Sequence, residues 1–158
     1  MDSQILTLFH TAISLIAIIT GIVVVYGLLT ANRMSTTTLW FLITTGATSA
    51  TGYLFHREHI LPSHIVGAIA LVVLALTCLA LYQFHLRGIW RAVYAAGAVT
   101  SLWFNVFVLI AQAFLKIAPL HELAPKGSEP PFAIAQGLVF VLFIALGILA
   151  SKRFHPSA

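Results

Sequence analysis

Residues 5–29 read ILTLFHTAISLIAIITGIVVVYGLL, an apolar run that contains no Asp, Glu, Lys or Arg. A helix that crosses a bilayer needs about 20 consecutive apolar residues, so this run is long enough to span a membrane. Four more apolar runs follow, over residues 38–55, 64–84, 89–117 and 132–150. The sequence therefore predicts an all-α integral membrane bundle of five transmembrane helices.

The composition of the chain favours the same fold class. Of its 158 residues, 60% are hydrophobic and only 8% are charged. An ordinary soluble domain carries about 25% charged residues, and a chain with so few charges cannot cover itself with a water-soluble surface. At this length we expect a single transmembrane domain, residues 1–158. The single cysteine, Cys78, excludes a disulfide within the chain.

The charged residues divide unequally between the two sides of the predicted bundle. One side carries +5, from Arg33, Arg87, Arg91, Lys152 and Arg153. The other side carries −1, from Arg57, Lys116 and Lys126 with Asp2, Glu58, Glu122 and Glu129. Because cytoplasmic joints are enriched in Lys and Arg, we predict an outer N-terminus and a cytoplasmic C-terminus. The basic residues are scattered singly at helix ends, so the expected partner is the lipid bilayer and not nucleic acid.

Several strongly polar side chains lie inside the predicted spans, where hydrocarbon makes them costly and favours positions that face the bundle interior. From the helical rise of about 1.5 Å per residue, His10 lies roughly 9 Å below Gln4, and Gln112 lies roughly 6 Å below Lys116. Gln136 lies roughly 8 Å inside its own span by the same measure. We therefore expect these three side chains to meet at one level in the outer half of the membrane.

Two more residues complete the predicted pocket. Asn105 lies nearer the midplane, roughly 16 Å below Lys116. His64 opens the third span behind Pro62 and Ser63, a typical helix start, and would rim the pocket together with His56. The predicted ligand-binding set is therefore His10, His64, Asn105, Gln112 and Gln136.

A metal ion is a second possibility for the outer side. Residues 55–64 read FHREHILPSH and hold three of the seven histidines of the chain. His56 and His59 are three residues apart, His64 follows, and imidazole suits zinc, iron or copper. The spacing is not diagnostic, because no complete four-ligand pattern is present.

The chemistry of the ligand stays open between a quinone headgroup, a metal ion and haem b. His10, Gln112 and Gln136 suit the carbonyl oxygens of a quinone as hydrogen-bond donors. Haem b requires two axial histidines at similar depth, and His10 differs from His64 or His56 by several ångströms. No Ser-His-Asp arrangement, phosphate loop or buried carboxylate pair is visible, which argues against an enzyme. A small redox protein that uses haem b or quinone remains an alternative.

The same residues allow an interpretation without a ligand. Membrane Asn, Gln, Ser and Thr often serve only as hydrogen bonds between helices, worth about 0.6 kcal/mol on average. Small residues at helical spacing, such as Gly97 and Ser101, let membrane helices approach closely. On this interpretation the chain is a non-catalytic accessory or assembly subunit of a membrane complex, or forms a homo-oligomer.

Four short stretches carry a resemblance to known proteins. They read FHTAIS at residues 9–14, LPSH at 61–64, FNVFV at 104–108 and SEPPF at 128–132. With them the chain resembles a group of small, uncharacterised bacterial polytopic inner-membrane proteins. The resemblance implies a multi-pass protein of a bacterial inner membrane, and it implies no residue role because the group has no established activity.

Overall fold

A computed structural model describes residues 3–54 and 62–156. Within these ranges the chain is helical apart from short connections, and no strand occurs there, which confirms the all-α prediction. The helices are α1 (Ser3–Leu29), α2 (Ser35–Gly52), α3 (Pro62–Cys78), α4 (Trp90–Lys116), α5 (Ala118–Leu123) and α6 (Pro130–Arg153). A π-helical segment, Leu79–Gln83, continues α3.

In the described part of the chain, four helices are long and apolar enough to cross a membrane. They are Gln4–Leu29, Ile65–Gln83, Trp90–Lys116 and Pro130–Arg153. The chain is therefore a multi-pass membrane protein by the length and composition of its helices. Helix α2 is not among the four, because its sequence STTTLWFLITTGATSATG is rich in threonine and serine. Its role as a fifth span, and the orientation of the termini, remain predictions.

Helix α2 packs one face against the rest of the bundle. Its buried residues include Phe41, Leu42 and the four threonines at positions 38, 44, 45 and 48. Within a helix, a threonine hydroxyl can donate a hydrogen bond to the backbone carbonyl one turn earlier. Thr44 and Thr51 do this, each donating over 2.7 Å to the carbonyl of Trp40 and Ala47, respectively. These bonds lower the cost of burying a helix of modest hydropathy.

Helix α4 is the centre of the bundle and contacts α1, α2, α3, α5 and α6. Its residues Tyr94, Ala95, Ala98 and Leu102 follow the spacing of one helix face and are at most 2% exposed. Helix α6 lies at the periphery, since only Gln136 and Ala150 are buried along it. Its exposed apolar side chains suit contact with lipid or with a partner protein.

Two tight connections bring the basic residues to one end of the bundle. The α1–α2 connection contains Ala31 and Met34 at φ values of 56° and 45°. The connection before α4 is closed by Phe84 and Trp90, whose rings stack with centroids 3.8 Å apart. The end of α6 reaches the same place. We call this region the basic end; it carries Arg33, Arg87, Arg91, Lys152 and Arg153.

Candidate functional site

The first predicted site residue, His10, is held against α2. Its side chain is half-buried, and its Nδ1 atom lies 2.8 Å from Thr51 Oγ1. The hydroxyl proton of Thr51 is already directed at the carbonyl of Ala47, 2.7 Å away. The Nδ1–H of His10 is therefore the donor and Thr51 Oγ1 the acceptor. This bond fixes the orientation of the imidazole ring and its tautomer.

Two further hydroxyls lie one turn deeper. Ser14 Oγ donates to the carbonyl of His10 over 2.7 Å and lies 3.5 Å from Thr48 Oγ1. We call His10, Ser14, Thr48 and Thr51 the His10 cluster. The cluster thus combines one imidazole and three hydroxyls on the contact between α1 and α2.

Asn105 joins α4 to α2. Its Nδ2 donates to Thr45 Oγ1 over 3.1 Å and to the carbonyl of Ser101 over 3.3 Å, and the residue is 9% exposed. The bond to Thr45 crosses from α4 to α2, while the bond to Ser101 stays within α4. Side-chain amides often serve as interhelical bonds of the first kind. The structure therefore gives Asn105 a packing role between α2 and α4.

The two predicted glutamines differ in burial and in hydrogen bonding. Gln136 Nε2 donates to the carbonyl of Phe107 over 3.0 Å, which ties α6 to α4. The Oε1 atom of Gln136 is buried and has no hydrogen-bond partner among the described residues. Gln112 is exposed on the surface of α4. The pocket that His10, Gln112 and Gln136 would share stays a prediction.

The predicted metal ligands lie beyond what the structure describes. His56 and His59 fall outside the described residues, as does the side chain of His64, whose backbone belongs to the first turn of α3. Elsewhere, in residues 3–54 and 62–156, no group of three His, Cys, Asp or Glu residues is placed to hold a metal ion. The metal site on the outer side stays an untested prediction.

Glu129 organises the connection into α6. Its two carboxylate oxygens accept hydrogen bonds from the backbone N–H groups of Lys126 and Ser128, each over 3.0 Å. Slight desolvation raises the pKa of Glu129. The hydrogen bonds from Ser128 and Lys126 and the charge of Lys126 outweigh it, and the pKa lies below its usual value. Glu129 therefore closes its own loop.

Sequence reasoning did not find a cavity at the basic end, because its residues are far apart in the chain. The cavity measures about 190 Å³ and is lined by Arg33, Ser35, Thr38, Leu81, Tyr82, His85, Tyr94 and Phe154. The only signal in the sequence is the accumulation of arginines and tyrosines near this membrane boundary. A separate apolar groove of about 460 Å³ runs between α4 and α6, from Ser151 and Lys152 to Phe140 and Trp103.

No family model, no curated protein and no solved structure matches the chain. Nothing known of another protein therefore transfers a role to any residue described above. The function has to be inferred from the placement and chemistry of the residues themselves.

Proposed function

We propose that the chain is a multi-pass membrane protein that binds a small ligand at the His10 cluster, facing the outer side of the membrane. The observation that carries the proposal is the bond between His10 and Thr51. It holds an imidazole in one orientation at membrane depth, where such a group is costly and favoured mainly by a function. With its Nδ1–H donated to Thr51, the neutral ring carries its lone pair on Nε2. That lone pair can ligate a metal ion or the iron of haem b, or accept a hydrogen bond from the hydroxyl of a reduced quinone headgroup.

The arrangement narrows the set of residues that the proposal needs. Asn105 and Gln136 hydrogen-bond to neighbouring helices, and Gln112 is exposed with no hydrogen bond from the described residues that would hold it in place. The proposed site is therefore His10 with Ser14, Thr48 and Thr51, completed by the predicted rim residue His64.

The first prediction tests this site by ligand retention. The protein is purified in lipid nanodiscs, and the same preparation is used for an absorption spectrum, elemental analysis and titration with a short-chain ubiquinone in its reduced, quinol form. Loss of a ligand hydrogen bond costs about 1–3 kcal/mol, so we expect His10→Ala to weaken binding about 10–100-fold. His121→Ala is the matched control, because His121 is an exposed histidine of the short helix α5.

Two results would contradict the proposed site. Unchanged binding in a folded His10→Ala protein would remove His10 from it. A colourless, metal-free wild-type protein that does not bind the quinol would remove the binding function altogether. Haem retained by the wild type and lost in His10→Ala would favour the redox alternative.

The second prediction concerns membrane topology. We propose five spans with an outer N-terminus and a cytoplasmic C-terminus, on the strength of the +5 against −1 charge distribution. The placement in a bacterial inner membrane rests only on the sequence resemblance. In a Cys78→Ala background, Leu54→Cys and Ser128→Cys are expected to react with a membrane-impermeant maleimide in intact cells. Thr36→Cys is expected to react only after lysis. Labelling of Thr36→Cys and Leu54→Cys from the same side would show that α2 does not cross the membrane.

A second candidate function is an accessory or assembly subunit. It is favoured by the hydrogen bonds of Asn105 to Thr45 and of Gln136 to Phe107, which tie neighbouring helices together. The peripheral position of α6 leaves an apolar surface, with Leu138 69% and Val141 64% exposed, that suits a partner helix. Co-purification of a defined membrane partner that is lost on changing this face, with no ligand bound at His10, would support this candidate.

A further inference from the structure

The cavity at the basic end is independent of the His10 cluster and has a different chemistry. Its volume is about 190 Å³. This is far more than the roughly 10–15 Å³ that one water needs, so the cavity has room for a small polar group with part of its hydration. Five of its eight lining residues carry hydroxyl or imidazole groups, and one carries a permanent positive charge; they are Ser35, Thr38, Tyr82, His85, Tyr94 and Arg33.

The floor of the cavity is built from buried hydroxyls. Thr38 is 2% exposed and Tyr94 is 1% exposed. Thr38 Oγ1 donates to the carbonyl of Arg33 over 3.1 Å, so in its 3.4 Å contact with Tyr94 the Tyr94 hydroxyl is the donor. That contact is longer than the usual O–H···O distance of about 2.7–2.8 Å. The Tyr94 hydroxyl is therefore held in place yet only weakly bonded, and a ligand oxygen offers it a shorter bond.

The Tyr94 ring is fixed by its surroundings. It packs on Phe154, with ring centroids 5.5 Å apart, and Phe154 is completely buried just after the end of α6. Because α4 and the end of α6 hold this ring together, the position of the hydroxyl is a property of the fold. The cavity floor is thus preformed.

Among the described residues, the charge at the rim has no acidic partner. Arg33 lines the cavity together with Tyr94 and forms no ion pair within residues 3–54 and 62–156. The described carboxylates, Glu122 and Glu129, belong to α5 and to the connection into α6, not to the helix ends that form this cavity. A guanidinium above a buried hydroxyl donor favours an anion, and its planar fork matches the oxygens of a phosphate group.

The start of α2 adds to the same preference. Ser35 is the first residue of α2, and no side chain caps this helix start. The first N–H groups of a helix have no intrahelical partner, and the helix dipole places partial positive charge there. Together with Arg33 this makes the rim more attractive to an anion.

We propose that this cavity binds a phosphate group, with Arg33 as the charged contact at the rim and the hydroxyls of Ser35 and Tyr94 as the hydrogen-bond donors below it. The phosphate is supplied either by the headgroup of a phospholipid in the adjoining leaflet or by a soluble phosphate compound. The cavity lies at the basic end, where anionic headgroups concentrate beside juxtamembrane Lys and Arg residues.

The third prediction tests the site with two phosphate probes. Full-length protein is reconstituted in phosphatidylcholine nanodiscs at constant ionic strength, with or without phosphatidic acid, and retained lipid is counted by native mass spectrometry. Inorganic phosphate is titrated separately into the discs without phosphatidic acid. We expect Arg33→Gln to weaken binding about tenfold or more, as loss of one charge-assisted contact predicts. Arg87→Gln, an equal charge change at the basic end outside the cavity lining, is expected to retain wild-type affinity.

The possible outcomes distinguish the two sources of the phosphate group, and some of them would contradict the proposed site. Arg33-dependent retention of phosphatidic acid assigns the cavity to a lipid headgroup, and Arg33-dependent binding of inorganic phosphate assigns it to a soluble compound. The proposal is wrong if neither probe binds, or if Arg87→Gln weakens binding as much as Arg33→Gln. Tyr94→Phe, which keeps the buried ring, is expected to weaken binding several-fold, and unchanged binding in that variant also overturns the assignment to this cavity.

Discussion

Leucine in place of Gly97 is expected to prevent a stable fold. A Cβ atom at this position would collide with Thr77 Oγ1 and would lie 3.7 Å from the Thr77 backbone. Thr77 is completely buried, and its hydroxyl is engaged with the carbonyl of Val73 over 2.8 Å. The added side chain therefore meets a rigid part of α3, and α3 and α4 have to separate to admit it. Thermal unfolding and gel filtration in detergent are the measurements.

Graded variants show whether this contact is the cause. Gly97→Ala adds only the Cβ atom and is expected to cost about 1–3 kcal/mol, the usual range for overpacking. Combining it with Thr77→Ala removes the colliding oxygen and is expected to recover part of the loss. Gly137→Leu is the control, because nothing lies within 4 Å of a Cβ atom at Gly137 on exposed α6. Equal behaviour of Gly97→Leu and Gly137→Leu would contradict the close approach of α3 and α4.

The positions of the helices are largely readable from the sequence. The predicted runs 5–29 and 89–117 correspond to Ser3–Leu29 and Trp90–Lys116. The reason is physical, because a backbone in hydrocarbon must satisfy its polar groups internally and a long apolar run therefore becomes a helix. The small-residue prediction at Gly97 is confirmed by its contact with Thr77. The reason is that a glycine in a packed membrane helix mainly serves to let a neighbouring helix approach closely.

The direction of polar side chains was not readable in the same way. Helical rise gives the depth of Gln112 and Gln136, but burial depends on which neighbours lie beside each helix at that depth. Asn105 and Gln112 are seven residues apart and share roughly one face of α4, yet the first is buried and the second exposed. Burial at each level depends on tertiary packing, which a single sequence does not contain.

The cavity at the basic end illustrates the same limit on a larger scale. Arg33, Tyr94 and Phe154 are separated by two long intervals of sequence and meet only when three helix ends come together. Charge counting identified this end of the bundle as basic. It could not show that buried hydroxyls lie beneath one of the arginines, because that depends on tertiary packing.

The buried face of α2 provides the last prediction. Phe41 is completely buried in this helix, and it packs so closely on α1 that a Cβ atom at Gly21 would lie 2.8 Å from Phe41 Cε2. Replacing Phe41 with alanine leaves a cavity between α1, α2 and α4. Changes of this kind cost about 3–5 kcal/mol, and we expect a loss of that size in denaturant-induced unfolding in detergent.

The matched control lies on the opposite face of the same helix. Ile43 is 53% exposed, so Ile43→Ala removes contacts with lipid or detergent and few contacts with protein. We expect its effect to stay within about 0.5 kcal/mol, as for other surface positions. Similar losses in the two variants would mean that α2 does not bury the Phe41 face against the bundle. The position of Thr51 would then no longer be fixed, and the His10 cluster would lose the partner that orients its imidazole. The proposed site at the His10 cluster therefore depends on the packing of α2 against the bundle.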